Sequence, residues 1–274
     1  MQAYVDTVLY PSTASIVGAA DKYVRKTSVF RSNGSFTLKS SADKGHALAV
    51  LYVQAATNSG GTLYNWFEDS ATPTLLDVTN MPTIATLTAH ATGAGTVFST
   101  YYSFTRVVSF DVTFTYIGNE LNGSGEASIG SDNGTIITIA NNIPAIIQDM
   151  SFNCHDRAEH TFRQIWLPQD DSDFILHAPN TPEKATTYGA IYFAATGLPK
   201  ATEVYQVNYC AVIEGIPLTL NLDFIPRSMS VPLDVEGALL LLKTKIYNDP
   251  RLVCSSGDKC HDRYMRQGIM PGVA

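Results

Sequence analysis

Three short stretches hold most of the side chains that could do chemistry. "LPQDDSDFIL" sets Asp170, Asp171 and Asp173 within four positions. Carboxylates packed so closely repel one another unless they are solvated or neutralised by a hard cation such as Ca2+. The D-x-[DN]-x-[DN]-G order of a calcium loop is absent, so an acidic solvated turn competes with a metal site. "NCHDRAEH" groups Cys154, His155, Asp156, Glu159 and His160. Zinc would use Cys154, His155 and His160, yet adjacent strand residues point to opposite faces, and neither CxxC nor HExxH is present. A surface loop with one buried cysteine is the expectation here. "CSSGDKCH" spaces Cys254 and Cys260 six apart. They could bridge, bind metal with His261, or remain free thiols, and free thiols are expected.

A catalytic constellation is not expected. "GSGEASIG" follows a strand but precedes no clear helix, so it is neither a nucleophile elbow nor a phosphate-binding glycine loop. Single-strand nucleic-acid binding asks for bases interleaved with aromatics. "DKYVRKTSVFRS" offers Lys22, Tyr23, Arg25, Lys26, Phe30 and Arg31. The competing reading buries Tyr23 and Phe30 and leaves the bases on the surface.

Charge is distributed unevenly. The net charge is −7, but residues 1–45 carry +3, residues 234–274 carry +1 and the middle carries −11. Two mildly basic ends on one face could meet a polyanion that the acidic centre would repel. Solvated surface is the plain alternative, since no block of five like charges occurs. Only 16% of residues are charged, against about 25% in ordinary soluble domains. Ser, Thr, Asn and Gly, or other copies of the chain, must therefore cover much of the surface. The start lacks a basic and then apolar leader pattern, and no window reaches the roughly 18 to 20 apolar residues of a membrane helix. Four cysteines in 274 residues suit a reducing compartment better than a disulfide scaffold.

The elements that must position these groups read as strands. Residues 1–26 look like an irregular arm broken by Pro11 and Gly18. "TSVFRSNGSFTLKS" has period two, with Asn33-Gly34 as a turn or bulge signal. "HALAVLYVQAA" is apolar on both faces. "GGTLYNWFEDS" is a short strand, and 71–95 is mostly loop. "VVSFDVTFTYIG" places Val108, Phe110, Val112, Phe114 and Tyr116 on one face, with Ser109, Asp111, Thr113 and Thr115 on the other. "TIITIA" is a short strand, and "NNIPAIIQDMS" could carry a short helix. "HTFRQIWLPQ", "YGAIYFAATGLP", "EVYQVNYCAVIEGIP" and "LTLNLDFIP" are strands ended by Pro. Over 231–249 the spacing turns helical, with Asp234 as N-cap and Val235, Leu239, Leu242 and Ile246 inward. These elements predict an all-β chain, an eight-stranded antiparallel jelly-roll β-sandwich with an irregular N-terminal arm and one C-terminal helix. The ranges are 1–26 for the arm, 27–233 for the sandwich and 234–274 for the helix and tail.

The order of motifs resembles a family. "FTRVVSFDVTFTYIGNELNGSGEASIG", with Arg106, Val107, Val108, Ser109, Tyr116, Gly118, Glu120, Leu121, Asn122 and Gly125, is similar to the mid-domain unit of capsid proteins of small icosahedral positive-strand RNA viruses. These are the nodavirus-, tombusvirus- and sobemovirus-like shells. "FRQIWLPQDDSDF" and "AIYFAATGLP…YQVNYCAVIEGIP" resemble their later strands. The resemblance spans about residues 27–233 and implies a jelly-roll subunit that assembles with copies of itself around single-stranded RNA. It implies termini facing the interior, with Lys22, Arg25, Lys26, Arg31, Lys243 and Lys245 contacting RNA without sequence preference. It also implies Ca2+ between subunits in some members, which favours Asp170, Asp171 and Asp173 as ligands. Virion and host cytoplasm are the implied locations. Two departures stand out: residues 1–274 hold no long Arg/Lys-rich arm, so either they start after one or the genome is packaged with few charges, and no Asn-Ala cleavage bond occurs in 234–274. The competing functions are a carbohydrate-binding sandwich and a cupin-like metalloenzyme. The second would need more histidines than His155 and His160 supply.

Overall fold

The computed structural model describes residues 1–20, 27–40, 45–53, 63–66, 88–90, 101–119, 125–132, 154–168, 171–176, 190–218, 230–232, 234–249, 252 and 254–256. Helix α1 spans Gln2–Leu9, β1 Gly18–Ala20, β2 Ser28–Lys39, β3 Ala47–Val53, β4 Leu63–Trp66 and β5 Thr88–His90. Then come β6 Tyr102–Tyr116, β7 Glu126–Asp132, β8 Cys154–Arg157, β9 Phe162–Trp166, a 3-10 turn at Asp171–Phe174 and β10 Ala190–Ala195. β11 Glu203–Pro217, β12 Ser230–Pro232, α2 Val235–Asn248 and β13 Cys254–Ser256 complete the order.

Two antiparallel sheets face each other. One runs β13-β9-β6-β11-β2 and the other β5-β4-β3-β10-β7-β8. At their centres lie two sets of four strands, β9-β6-β11-β2 and β3-β10-β7-β8, which is the expected eight-stranded jelly roll. The β4–β5 pair and β13 widen it at the edges, and β1 pairs with β12 in parallel apart from both sheets.

The core between the sheets follows from alternation. Phe110, Val112 and Phe114 of β6 and Val207, Ala211 and Ile213 of β11 point inward against Ala49 and Leu51 of β3 and Ile191 and Phe193 of β10. Phe193 is the centrepiece. It stacks on Phe114 with ring centroids 4.1 Å apart, and meets Phe162 and Tyr205 edge-on. Offset and edge geometries suit the aromatic quadrupole and add to the area buried. The Tyr205 hydroxyl donates to the Ala158 carbonyl at 2.5 Å, so the β8–β9 corner is tied to the sheet beneath it.

Three local expectations are corrected. Residues 2–9 are helix α1 rather than irregular arm, because Tyr4, Val5, Val8 and Leu9 form a buried stripe that tertiary packing stabilises in a segment too short to be helical alone. Asn33-Gly34 makes no turn: β2 runs straight through it, in register with Cys210 and Tyr209. The glycine is needed for room, since a Cβ at Gly34 would collide with the Tyr209 ring and hydroxyl. Val108 does not share the face of Phe110. A bulge places Ser109 opposite Val212 and Val107 opposite Ile213, so Val108 and Ser109 both turn outward. The strand expected at "TIITIA", the helix at "NNIPAIIQDMS" and almost all of "LTLNLDFIP" lie outside the described residues.

Candidate functional site

Helices α1 and α2 build a second layer on the outer face of the five-stranded sheet. Tyr4, Val5, Val8 and Leu9 of α1 cluster with Ala238, Leu242 and Ile246 of α2, over Val29, Val108 and Val212. α2 starts as expected: Asp234 accepts from the Gly237 N–H at 3.1 Å. Leu242 and Ile246 are buried, Val235 and Leu239 are half-buried, and Ala238 takes the innermost place.

Polar groups bolt this layer down. The Ser109 hydroxyl, turned outward by the bulge, donates to the Val8 carbonyl at 2.6 Å. That carbonyl belongs to the last turn of α1, where no backbone N–H is available within the helix. Arg31 donates to the carbonyls of Pro11 at 2.5 Å and Ala14 at 2.6 Å, fixing the turn after α1. Lys245 of α2 pairs with Asp6 of α1 at 2.7 Å.

Beneath the layer lies a buried ion pair that the sequence reading did not single out as a site. Nε and Nη2 of Arg106 converge on Oε2 of Glu214 at 2.9 and 2.5 Å. Thr27 donates to the other oxygen at 2.5 Å, and Arg106 Nη1 donates to the Phe174 carbonyl at 2.5 Å. Burial pushes the neighbouring Tyr4 phenol well above its usual range, partly offset by Arg106 and reinforced by Glu214 and Asp173. The signal was present in the chain: each is a charged residue beside apolar neighbours within a strand, in "TRVVS" and "AVIEG".

Of the six bases expected to face RNA, Lys22, Arg25 and Lys26 lie outside the described residues. Arg31 and Lys245 are committed to the contacts above, and Lys243 is exposed. Asp6, Asp234, Glu236 and Asp249 set four carboxylates against Lys243 and Lys245 in the two helices and their caps. The two helices and their caps are therefore net negative by themselves. Asp170 lies outside the described residues, while Asp171 and Asp173 sit in the 3-10 turn whose last carbonyl Arg106 holds. Among the described residues no three His, Cys, Asp or Glu side chains converge as a metal site.

The remaining chemical candidates are dispersed. Cys154 is buried in the core, His155 lies 3.6 Å from Glu126, and His160 lies 2.9 Å from Asp156. Cys254 is in β13, paired with β9, and Cys260 lies outside the described residues. A cavity of about 320 Å³ on the outer sheet face is lined by Ser12, Asn33, Asp111, Thr113, Asn208 and Cys210. Burial pushes the Cys210 thiol up to about 11, against a lowering by Arg31, so it is not an activated nucleophile. Asp111 there is gripped by Arg163, with contacts of 2.8 to 3.3 Å.

No protein-family model matches the chain, and no curated protein matches it in sequence. Its fold, however, superposes over nearly its full length on solved virus particles. The structure of infectious bursal disease virus, Gx strain, aligns with a TM-score of 0.62 at 7% identity, covering 96% of this chain and 99% of that one. The T=13 particle of the same virus gives 0.59 at 9% identity, covering 96% and 94%. T=1 particles derived from that virus give 0.57 at 10% identity, covering 100% and 98%. The chain shares its fold with the proteins of these virus particles. The likeness supports a capsid fold in general and does not single out the nodavirus, tombusvirus and sobemovirus group.

Proposed function

We propose that this chain is a capsid subunit that assembles with copies of itself into an icosahedral shell around a single-stranded RNA genome. One observation carries the reading: the fold aligns over 96% of the chain with a protein of a virus particle, at a TM-score of 0.62. Composition supports it. A surface with few charges is suited to burial against identical neighbours, and closed symmetry lets many weak contacts act together. The cations assigned to RNA are Lys22, Arg25, Lys26 and the exposed Lys243, because Arg31 and Lys245 already hold α1 and α2 in place.

The test is size-exclusion chromatography of the purified chain, followed by negative-stain microscopy and the ratio of absorbance at 260 and 280 nm. Uniform shells about 20 to 40 nm across with a nucleic-acid signal are expected. A chain that stays monomeric at high concentration and carries no nucleic acid would remove the reading. Shells that swell in EDTA would place Ca2+ at the Asp170–Asp173 turn once Asp171→Asn abolished the swelling.

A further inference from the structure

Helix α2 carries a stripe that the sandwich does not use. Glu236, Leu240, Lys243 and Tyr247 are all exposed, Leu240 at 65% and Tyr247 at 58%. At about 3.6 residues per turn these four side chains fall within an arc of about 60°. The buried side of the helix, with Ala238, Leu242 and Ile246, is centred about 130° around the axis from the stripe. A single exposed leucine needs no explanation. The order of the neighbours does. Glu236 stands one turn before Leu240, and Lys243 stands one turn after it.

Turned end for end about an axis through Leu240, this order is complementary to itself. Glu236 then faces Lys243 of the other helix, and Lys243 faces its Glu236. A two-fold contact demands such a pattern, because both subunits present the same patch. We propose that α2 forms a two-fold contact between two copies of this chain, antiparallel, with Leu240 packed on its counterpart and two reciprocal Glu236–Lys243 ion pairs on either side. This rests on the capsid reading and names one of its subunit contacts. A lone helix stripe covers less than the roughly 1,200 Å² of a self-sufficient complex. The contact is therefore weak by itself and depends on the rest of a shell. A nucleic acid is the poorer occupant, given the excess of carboxylates on the two helices.

Cysteine cross-linking tests the geometry. Leu240→Cys, oxidised in assembled particles, is expected to give a covalent dimer. Tyr247→Cys is expected to give none, since its two copies would sit about 21 Å apart along the helices and a disulfide spans Cα atoms only about 4.4 to 6.8 Å apart. The unsubstituted chain, oxidised in parallel, sets the background from its four cysteines. Charge reversal tests the pairing. Glu236→Lys or Lys243→Glu alone should weaken self-association about tenfold at low salt, and the two together should restore it. These positions are solvent-exposed, and a thermal melt of each variant confirms that it folds.

Particles without a Leu240→Cys dimer, or with equal cross-linking at 247, would overturn the contact and leave the capsid reading standing. A cross-linked dimer from a chain that forms no particles would support the contact and overturn the shell. Lys243→Glu stripping nucleic acid from particles, with no cross-link at 240, would assign the stripe to RNA and overturn the contact.

Discussion

Arg106 and Glu214 stand opposite each other in the register of β6 and β11 and form an ion pair from which water is almost wholly excluded, their side chains 7% and 0% exposed. The pair joins four parts of the chain: the two strands, Thr27 ahead of β2, and the turn that ends at Phe174. α1 lies over it, with Tyr4 the nearby titratable group on that helix. Burying two charges is not in itself a source of stability, because desolvation offsets most of their attraction. The pair instead ties Thr27 and the turn ending at Phe174 to the two strands.

Removing one partner should therefore be costly. Glu214→Gln keeps the shape and leaves a buried guanidinium uncompensated, at about 3–5 kcal/mol. Arg106→Met should cost a similar amount, and Arg106→Met with Glu214→Leu much less than the sum. Urea unfolding of the four proteins measures this, and strict additivity would show that the two do not act as a unit.

Ser109 should control α1 locally. Ser109→Ala deletes the donor to the Val8 carbonyl and leaves a buried acceptor unmade, at about 1–3 kcal/mol. Hydrogen exchange should quicken in α1 and stay unchanged in β3 and β10. Uniform quickening would mean that the bond supports the whole sandwich.

Gly34 should reject any side chain. Gly34→Ala places a methyl against the Tyr209 ring and should destabilise by about 1–3 kcal/mol, as overpacking does. Gly34→Ala combined with Tyr209→Leu should recover part of that loss. A single Gly34→Ala variant as stable as the parent would refute the steric account.

Stability should fall in alkali. Burial raises Tyr4, Tyr205 and Cys210 in the folded chain. Groups raised on folding contribute fully below their unfolded values, near 9 for the thiol and 10 for the phenols. That contribution drains away as pH climbs toward the folded values, because the unfolded chain releases its protons first. Urea midpoints should thus decline above about pH 9, and Cys210→Ala should delay the onset of the decline to the range of the phenols. An unchanged pH profile in that variant would show that the thiol is not the group responsible.

How much was legible depended on range. The strand in "VVSFDVTFTYIG" was visible because alternation is a property of neighbours, yet its face switches at Val108, where the partner strand imposes a bulge. Asn33-Gly34 carries a turn signal that a continuous ladder with β11 overrides. α1 was missed because Tyr4, Val5, Val8 and Leu9 form a stripe only two turns long, whose helicity depends on α2 and the sheet. Arg31 and Lys245 looked like free cations, since nothing in the chain order places Pro11, Ala14 or Asp6 beside them.

The chain by itself determined the class of fold, a helix capped by Asp234 within 231–249, the apolar faces that must meet, and the scarcity of charge that suits a packed assembly. Those are local or additive properties, set by backbone preference, period and composition. Only the tertiary structure decided that Arg106 finds Glu214, that Ser109 reaches α1, and that α1 and α2 meet on one sheet. Those relations join residues up to 239 positions apart, and they exist only once a register has been chosen and two surfaces have closed on each other.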